Sequence, residues 1–411
     1  MKLEIKQQLI SGNSRNGDWK RCLFTDKFER ITRKNKDGNR NVLTISAQQG
    51  LINQFEYYNH QYASEDTSSY TLLKRGDFAY NKSYSDGYPW GALKRLERYD
   101  SGIVSPLYIC FAPKNGVCSD FYKQYFEAGL FNREIYKIAQ EGARNHGLLN
   151  VSTEDFFNAM LADPPIEEQR KIAEILGCCD EVIRLKKELI AEKKKQKKAL
   201  MQKLLDPNSG FRLPGFSKEW NTFQIMQITR VESGGTPSTN NPGYWNGNVY
   251  WCTPSDIDEH KKYIYNTENT ITEAGLQNSS ATILPAGTVI MCSRATIGPR
   301  MITQTPMCTN QGFKNFICSS RLFNEFWYYF IETILEDFFA MASGNTFKEI
   351  SKKAIDTYSV TIPERKEQQA IAEILSAADQ EIDLLEQELT EQEKKKKSLM
   401  QLLLTGIVRV K

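Results

Sequence analysis

EQRKIAEIL at residues 168–176 returns as EQQAIAEIL at 367–375, and Leu200-Met201-Gln202 returns as Leu399-Met400-Gln401. Aligned without a gap at an offset of 199 residues, segments 168–205 and 367–404 agree at 19 of 38 positions. The blocks before and between them, residues 1–163 and 206–362, are 163 and 157 residues long and dissimilar. Repetition at a fixed offset decides the architecture before any local reading does. A chain that duplicates its connectors and diversifies what they connect implies two different ligands read at a fixed separation.

The repeated segments read as helices. Ile371, Leu375, Ala378, Ile382, Leu385, Leu389, Gln392, Lys396, Leu399 and Leu403 keep strict 4-3 spacing, and eight of the ten are apolar. In the first copy Ile172, Leu176, Cys179, Ile183, Lys186, Ile190, Lys193, Lys197, Leu200 and Leu204 repeat the pattern, seven of them apolar. A seam held over five heptads argues for coiled-coil packing, most simply of the two seams against each other and antiparallel. Pro164-Pro165 and Pro363 stand at the starts, with glutamates in the first turn where the helix dipole favours anions. Lysines crowd the other ends, at 193–198 and 394–397. They read as solvated helix faces ahead of direct DNA contacts. At ~1.5 Å per residue such helices reach about 60 Å. Lys186, Lys193 and Lys197 fall at core-type positions, which predicts that helices of a partner cover them.

Both variable blocks follow one plan. Each opens with a tryptophan, Trp19 or Trp220, and continues through short β-rich runs. Each closes with a strand (107–111; 315–318), an aromatic helix (120–139; 325–341) and a polar turn (Val151-Ser152; Ile350-Ser351). Phe121, Tyr125, Phe126, Phe326, Tyr329 and Phe330 recur at helical spacing and read as core. The expected fold is therefore α/β (α+β): two similar globular domains joined by two long antiparallel coiled-coil helices, a pseudo-twofold repeat. The expected segments are 1–163, 164–205, 206–362 and 363–411.

With 411 residues, 40% hydrophobic, the chain affords two ordinary cores beside the helices. No apolar run of 18 residues and no signal peptide is present, so it reads as soluble and cytoplasmic. Nine cysteines without a CxxC pair, and three histidines without ligand spacing, argue against a disulfide scaffold or structural zinc. The net charge of +3 requires any polyanion to meet local basic patches.

Catalytic patterns fail in turn. Gly234-Gly235-Thr236-Pro237 lacks the lysine of a phosphate-binding loop. Asp163-Pro164-Pro165 resembles an amino-methyltransferase signature, but Ile166 replaces the aromatic that would stack on the base, and a proline helix start explains it better. Asp256 and Glu259-His260-Lys261 crowd too closely for a nuclease metal site. The chain reads as non-catalytic, with no cofactor and no metal of its own.

The blocks do offer loops suited to nucleic acid. The segment Arg30–Arg40 is basic, and Gly76–Tyr84 places amide, cation and hydroxyl donors directly after an expected strand. Residues 236–241, 293–296 and 310–314 supply the same mixture in the second block. Arginine can fork onto guanine and Asn or Gln can pair adenine, while Ser, Thr and Lys hold phosphates. The candidate DNA contacts are Lys34, Arg40, Asn81, Lys82, Tyr84, Arg294, Asn310, Gln311 and Lys314.

Taken together, Pro164-Pro165-x-x-Glu168-Gln169-x-x-Ile172-Ala173-x-x-Leu176, its echo from Pro363, the Lys-rich helices ending Leu-Met-Gln-x-Leu-Leu, and Ser233-Gly-Gly-Thr-Pro-Ser238 with Tyr244, Trp245 and Trp251 carry a resemblance. The whole chain resembles the specificity subunit of type I restriction-modification systems. One departure is Glu364 in place of the second proline. The resemblance implies that each block is a target-recognition domain for one half of a split DNA sequence. It implies that the helices set the gap and hold two adenine-N6 methyltransferase subunits, to which restriction subunits attach. S-adenosylmethionine, ATP and Mg would then belong to those partners. Ile172, Leu176, Ile183, Ile371, Leu375 and Ile382 are the expected partner contacts. A type II specificity subunit of the same plan, a coiled-coil adaptor without DNA recognition, and a stand-alone adenine methyltransferase are the alternatives.

Overall fold

The computed structural model describes residues 19–60, 62–63, 66–83, 88–139, 149–344 and 348–410. It divides into two compact units, Met1–Lys187 with Glu388–Lys411, and Glu188–Gln387. These do not follow the four segments expected from the sequence. Each unit takes one variable block and one end of each long helix, Ile166–Leu204 and Arg365–Leu403.

In the first unit, strand Lys20–Leu23 pairs antiparallel with Met160–Asp163, so the two ends of the block meet in a ribbon. One helical turn, Phe24–Lys27, buries Phe24 and leads into Phe28–Arg30. That strand edges a four-stranded antiparallel sheet, ordered Phe28–Arg30, Ile109–Pro113, Phe78–Asn81, Ala92–Arg95. Helix Ser119–Glu127 buries Phe121, Tyr122, Tyr125 and Phe126 in the same aromatic core. Phe78 and Phe111 stack there with ring centroids 5.3 Å apart. Burying each such ring contributes roughly 2 kcal/mol.

The second unit has the same order of elements. Asn221–Gln224 pairs with Ser359–Ile362, the turn Ile225–Ile228 follows, and Thr229–Ser233 edges a five-stranded sheet. The sheet continues Phe313–Cys318, Val289–Arg294, Thr296–Thr303, Tyr263–Ile264, the last pair parallel. Helix Asn324–Phe330 buries Phe326, Trp327, Tyr329 and Phe330. A separate three-stranded sheet joins Thr270–Ile271, Trp245–Cys252 and Cys308–Thr309.

Two expectations need correction. The single aromatic helices expected at 120–139 and 325–341 are interrupted. Gly129 adopts a φ of +70° and separates Ser119–Glu127 from Asn132–Ile138. A 3-10 stretch, Ile331–Ile334, separates Asn324–Phe330 from Leu335–Met341. The polar turns Val151-Ser152 and Ile350-Ser351 have a definite job: Ser152 and Ser351 cap short helices, their hydroxyls accepting from Asp155 N and Ala354 N.

The repeated helix residues are explained by what they touch. In the first unit, Ile172, Ala173 and Leu176 enter the aromatic core together with Leu403 and Leu404. In the second, Ile371, Ala372 and Leu375 enter the corresponding core with Leu204 and Leu205. Glu168 accepts both Nε and Nη2 of Arg409 at 2.7 Å. Glu367 accepts Nε and Nη2 of Arg212 at 2.8 and 2.6 Å. Each helix start is thus clamped by the arginine that follows the end of the other helix. Gln169 and Gln368 each donate Nε2 to a carbonyl five residues back, Pro164 at 2.7 Å and Pro363 at 2.8 Å.

Further along, the helices meet through charge. In the first unit Asp180 pairs with Lys396, Lys186 with Glu388 and Lys187 with Glu393. In the second, Lys193 pairs with Glu381, Lys194 with Glu386 and Lys197 with Asp379. From Asp180 to Lys186 the partner moves back from Lys396 to Glu388, and from Lys193 to Lys197 it moves back from Glu381 to Asp379, so the helices run antiparallel within each unit. Lys186, Lys193 and Lys197 are therefore neutralised by the chain itself. These ion pairs give the three lysines partners within the chain, where the sequence had led us to expect helices of another subunit to cover them.

Candidate nucleic-acid interface

In the second unit four segments converge at one end of the five-stranded sheet. Strands Val289–Arg294 and Thr296–Thr303 are joined through Ala295, whose φ of +64° makes a tight tip. Gly312 O accepts from Ser293 N at 2.8 Å and Ser293 Oγ at 3.1 Å, which brings residues 310–312 alongside. Gly235 N donates to Thr309 O, and Thr236 Oγ1 meets Gln311 Oε1. A Cβ at Gly234 would stand 2.0 Å from Asn310 O, so glycine is required where this segment passes. On the other side Ala295 N donates to Lys348 O at 3.1 Å and Ile350 N to Ser293 O at 3.2 Å.

This cluster exposes Arg294, Gln311 and Lys348, with Ser238–Asn241 on the neighbouring loop. Asn310 is half-buried and its Oδ1 accepts from Gly312 N at 2.8 Å, so it shapes the loop. Lys314 must be withdrawn as a phosphate contact. Its side chain is 5% exposed, and its ammonium lies 3.2 Å from Glu349. It sits mid-strand and faces inward, which polar residue type alone did not reveal.

The first unit places Asn81 and Lys82 at the end of strand Phe78–Asn81, the counterpart of Val289–Arg294 in sheet order. Leu149 N donates to Lys82 O at 3.0 Å, matching the bond from Ile350 N to Ser293 O. Lys82 Nζ donates to Val151 O at 3.4 Å, and Asn81 Oδ1 accepts from Ser83 N at 3.0 Å. Lys34 and Arg40 are exposed on the segment that leaves strand Phe28–Arg30, and Lys34 Nζ donates to Ser69 O at 2.8 Å. Arg33 is taken by Asp77, so the basic stretch is less free than its composition suggests. Tyr84 lies outside the described residues.

The expected partner contacts need the same correction. Ile172, Leu176, Ile371, Leu375 and Ile382 are at most 7% exposed, held inside their own units. Ile183 is half-buried. Any surface these helices offer a partner is their outer face.

Sequence reasoning missed Lys348 and Glu349. They reach the tip from a loop more than fifty positions away from Arg294, so no local pattern could signal them. The remaining chemistry is quiet. All nine cysteines are free. Burial pushes the Cys110 and Cys292 thiols up to about 12, out of nucleophilic range at neutral pH. Among the described residues no group of three or more His, Cys, Asp or Glu could hold a metal, and no helix is long and apolar enough to cross a membrane.

Comparison with known proteins finds a family model that matches part of this chain. Residues 217–394 match the type I restriction modification DNA specificity domain. The type I restriction enzyme MjaIX specificity subunit of Methanocaldococcus jannaschii is 37% identical over 172 residues, 41% of this chain and 39% of that one. The putative type I restriction enzyme MjaX specificity subunit of the same organism is 26% identical over 313 residues, 73% of this chain and 70% of that one. A chain solved in work on complex assembly and conformational transition of the type I R-M system superposes with a TM-score of 0.58 at 16% identity. That superposition covers 96% of this chain and 100% of the other, a likeness of fold. The second block thus carries a type I restriction modification DNA specificity domain, and parts of the chain are similar to type I restriction enzyme specificity subunits, of which it spans 39% in the first case and 70% in the second.

Proposed function

We propose that this chain is the DNA-reading, non-catalytic subunit of a type I restriction-modification complex, each unit reading one half of a split target. The observation that carries the reading is the matched pair of loop clusters. Lys82 and Arg294 stand at the same end of equivalent strands, each beside a segment pinned by an equivalent backbone bond. One scaffold thus presents two different sets of polar side chains. That is the arrangement needed to read two unlike sequences by one mode of docking in the major groove.

The long helices, alike at both ends, support the pseudo-twofold antiparallel coiled coil expected from their seams. None of the seam positions is fully exposed. In this reading the helices fix the number of unread base pairs and present two equivalent docking faces for methyltransferase subunits. Adenine N6 methylation belongs to those subunits, which must extrude the base. Restriction subunits join through them, and S-adenosylmethionine, ATP and Mg act there. The setting is the cytoplasm.

The test compares two substitutions in the assembled complex. Arg294→Ala should relax preference at one position by roughly 1–3 kcal/mol, because a lost base contact is position-specific. Lys82→Ala should weaken binding to all sequences alike and lower the slope of log K against log salt by about 0.9. If neither variant changes preference or salt slope, the loop clusters do not face DNA.

A further inference from the structure

In each unit one ion pair between the long helices also reaches the globular block. Asp180 accepts Lys396 Nζ on Oδ1 and Gln124 Nε2 on Oδ2, the latter at 2.6 Å. Asp379 pairs with Lys197 through Oδ1, and the Tyr329 hydroxyl donates to its Oδ2 at 2.5 Å. Asp180 and Asp379 stand 199 residues apart, as do Lys197 and Lys396, so this pair recurs letter for letter. Its neighbours do not. Lys187–Glu393 returns as Glu386–Lys194 with the signs exchanged, and Lys186 and Lys193 answer to Leu385 and Gln392.

On the globular side the donor differs while its place does not. Gln124 and Tyr329 are each the sixth residue of the aromatic helix, Ser119–Glu127 or Asn324–Phe330, and both are buried. One carboxylate thus joins its own long helix, the other long helix and the block. The apolar docking at the helix ends is non-directional. Hydrogen bonds to a charged group are stronger and directional, and polar groups retained at packed interfaces are best attested as devices that specify one arrangement.

We infer that Asp180 and Asp379 are positioning residues that hold each reading block at one angle to the helices it sits on, and thereby make the gap between half-sites strict. This rests on the reading in which the helices fix the number of unread base pairs. Neither aspartate touches DNA in this arrangement. A block free to tilt on its apolar seat would let its loops reach neighbouring base pairs, and the aspartate removes that freedom. The acceptor is kept in both units and is met by whichever donor the block supplies. An exchanged block must therefore bring a hydrogen-bond donor at the sixth position of its aromatic helix.

The experiment uses the full chain assembled with its methyltransferase partners, on duplexes with native half-sites and a gap of native length or one base pair longer or shorter. Tyr329→Phe removes a hydroxyl and Gln124→Leu an amide, each with little change of shape. Either should raise methylation at the altered gaps, relative to the native gap, by roughly tenfold. Preference within the half-sites, read on randomised half-sites at the native gap, should stay the same. Lys193→Ala, whose ion pair with Glu381 joins helix to helix, should keep the native gap profile. An unchanged gap profile in Tyr329→Phe and Gln124→Leu would overturn the inference. So would a loss spread equally over all gaps, the mark of a merely structural contact, or a loosening by Lys193→Ala as large as by Tyr329→Phe. If the native complex itself methylates all the gaps alike, the reading of the helices as spacers fails, and the inference fails with it.

Discussion

The ends and the middles of the two long helices obey different rules. At the ends, residues recur at a 199-residue offset and are buried: Ile172 and Ile371, Leu176 and Leu375, Leu204 and Leu403 are at most 5% exposed. In the middles fewer letters recur, the pair Asp180–Lys396 and its repeat Asp379–Lys197 being retained, and the contacts are exposed or half-exposed lysine–carboxylate pairs. Repetition is therefore strict where a helix docks its own globular core. It is loose where one helix meets the other through long, adaptable side chains. The repeated letters at the helix ends advertise intramolecular docking.

The sharpest way to break this contrast is to cut into the ends. Leu176→Ala and Leu375→Ala each open a cavity in a packed aromatic core and should cost about 2–5 kcal/mol. Chemical denaturation followed by intrinsic fluorescence would measure it. Costs below 1 kcal/mol at both sites would show that the ends are not docked.

The clamps should respond to acid. Arg409 donates to Glu168 and holds its carboxyl below the usual carboxylate range, burial opposing the effect. A depressed carboxylate stabilises the fold above its unfolded pKa, near 4.3, and that contribution is lost as pH falls through the folded value. Glu168→Gln should therefore destabilise the first unit at neutral pH and converge on the native melting temperature under acid. Melting curves between pH 7 and 3 decide it, and a difference that fails to shrink with acid would refute the clamp.

The middles should matter least. Lys193→Ala removes an ion pair with Glu381 whose groups are 29% and 51% exposed, and should cost about 0–1 kcal/mol, less at high salt. A larger loss would mean that the middle behaves like the ends.

Much of this fold could be read in the letters. Periodicity announced both long helices because 4-3 spacing survives over dozens of residues, and prolines marked their starts. The twofold plan of the blocks was visible in Trp19 and Trp220 and in the strand–helix–turn order. What could not be read was direction. Lys314 carries the residue type of a phosphate ligand, yet strand register turns it inward toward Glu349. Ile172 has the look of an interface residue, but the surface it meets is folded from its own chain. Lys348 and Glu349 reach the tip only through tertiary closure, and Gly129 stopped a helix that its apolar spacing would have continued.

The central claim is that one unit reads one half-site. Its most direct test exchanges residues 206–362 for the corresponding block of another family member and maps methylated adenines in cells carrying the assembled complex. The prediction is that one half-site changes to that of the donor, while the other half-site and the gap stay as they were. A change in the retained half-site, or no change in either, would contradict independent reading by the two units.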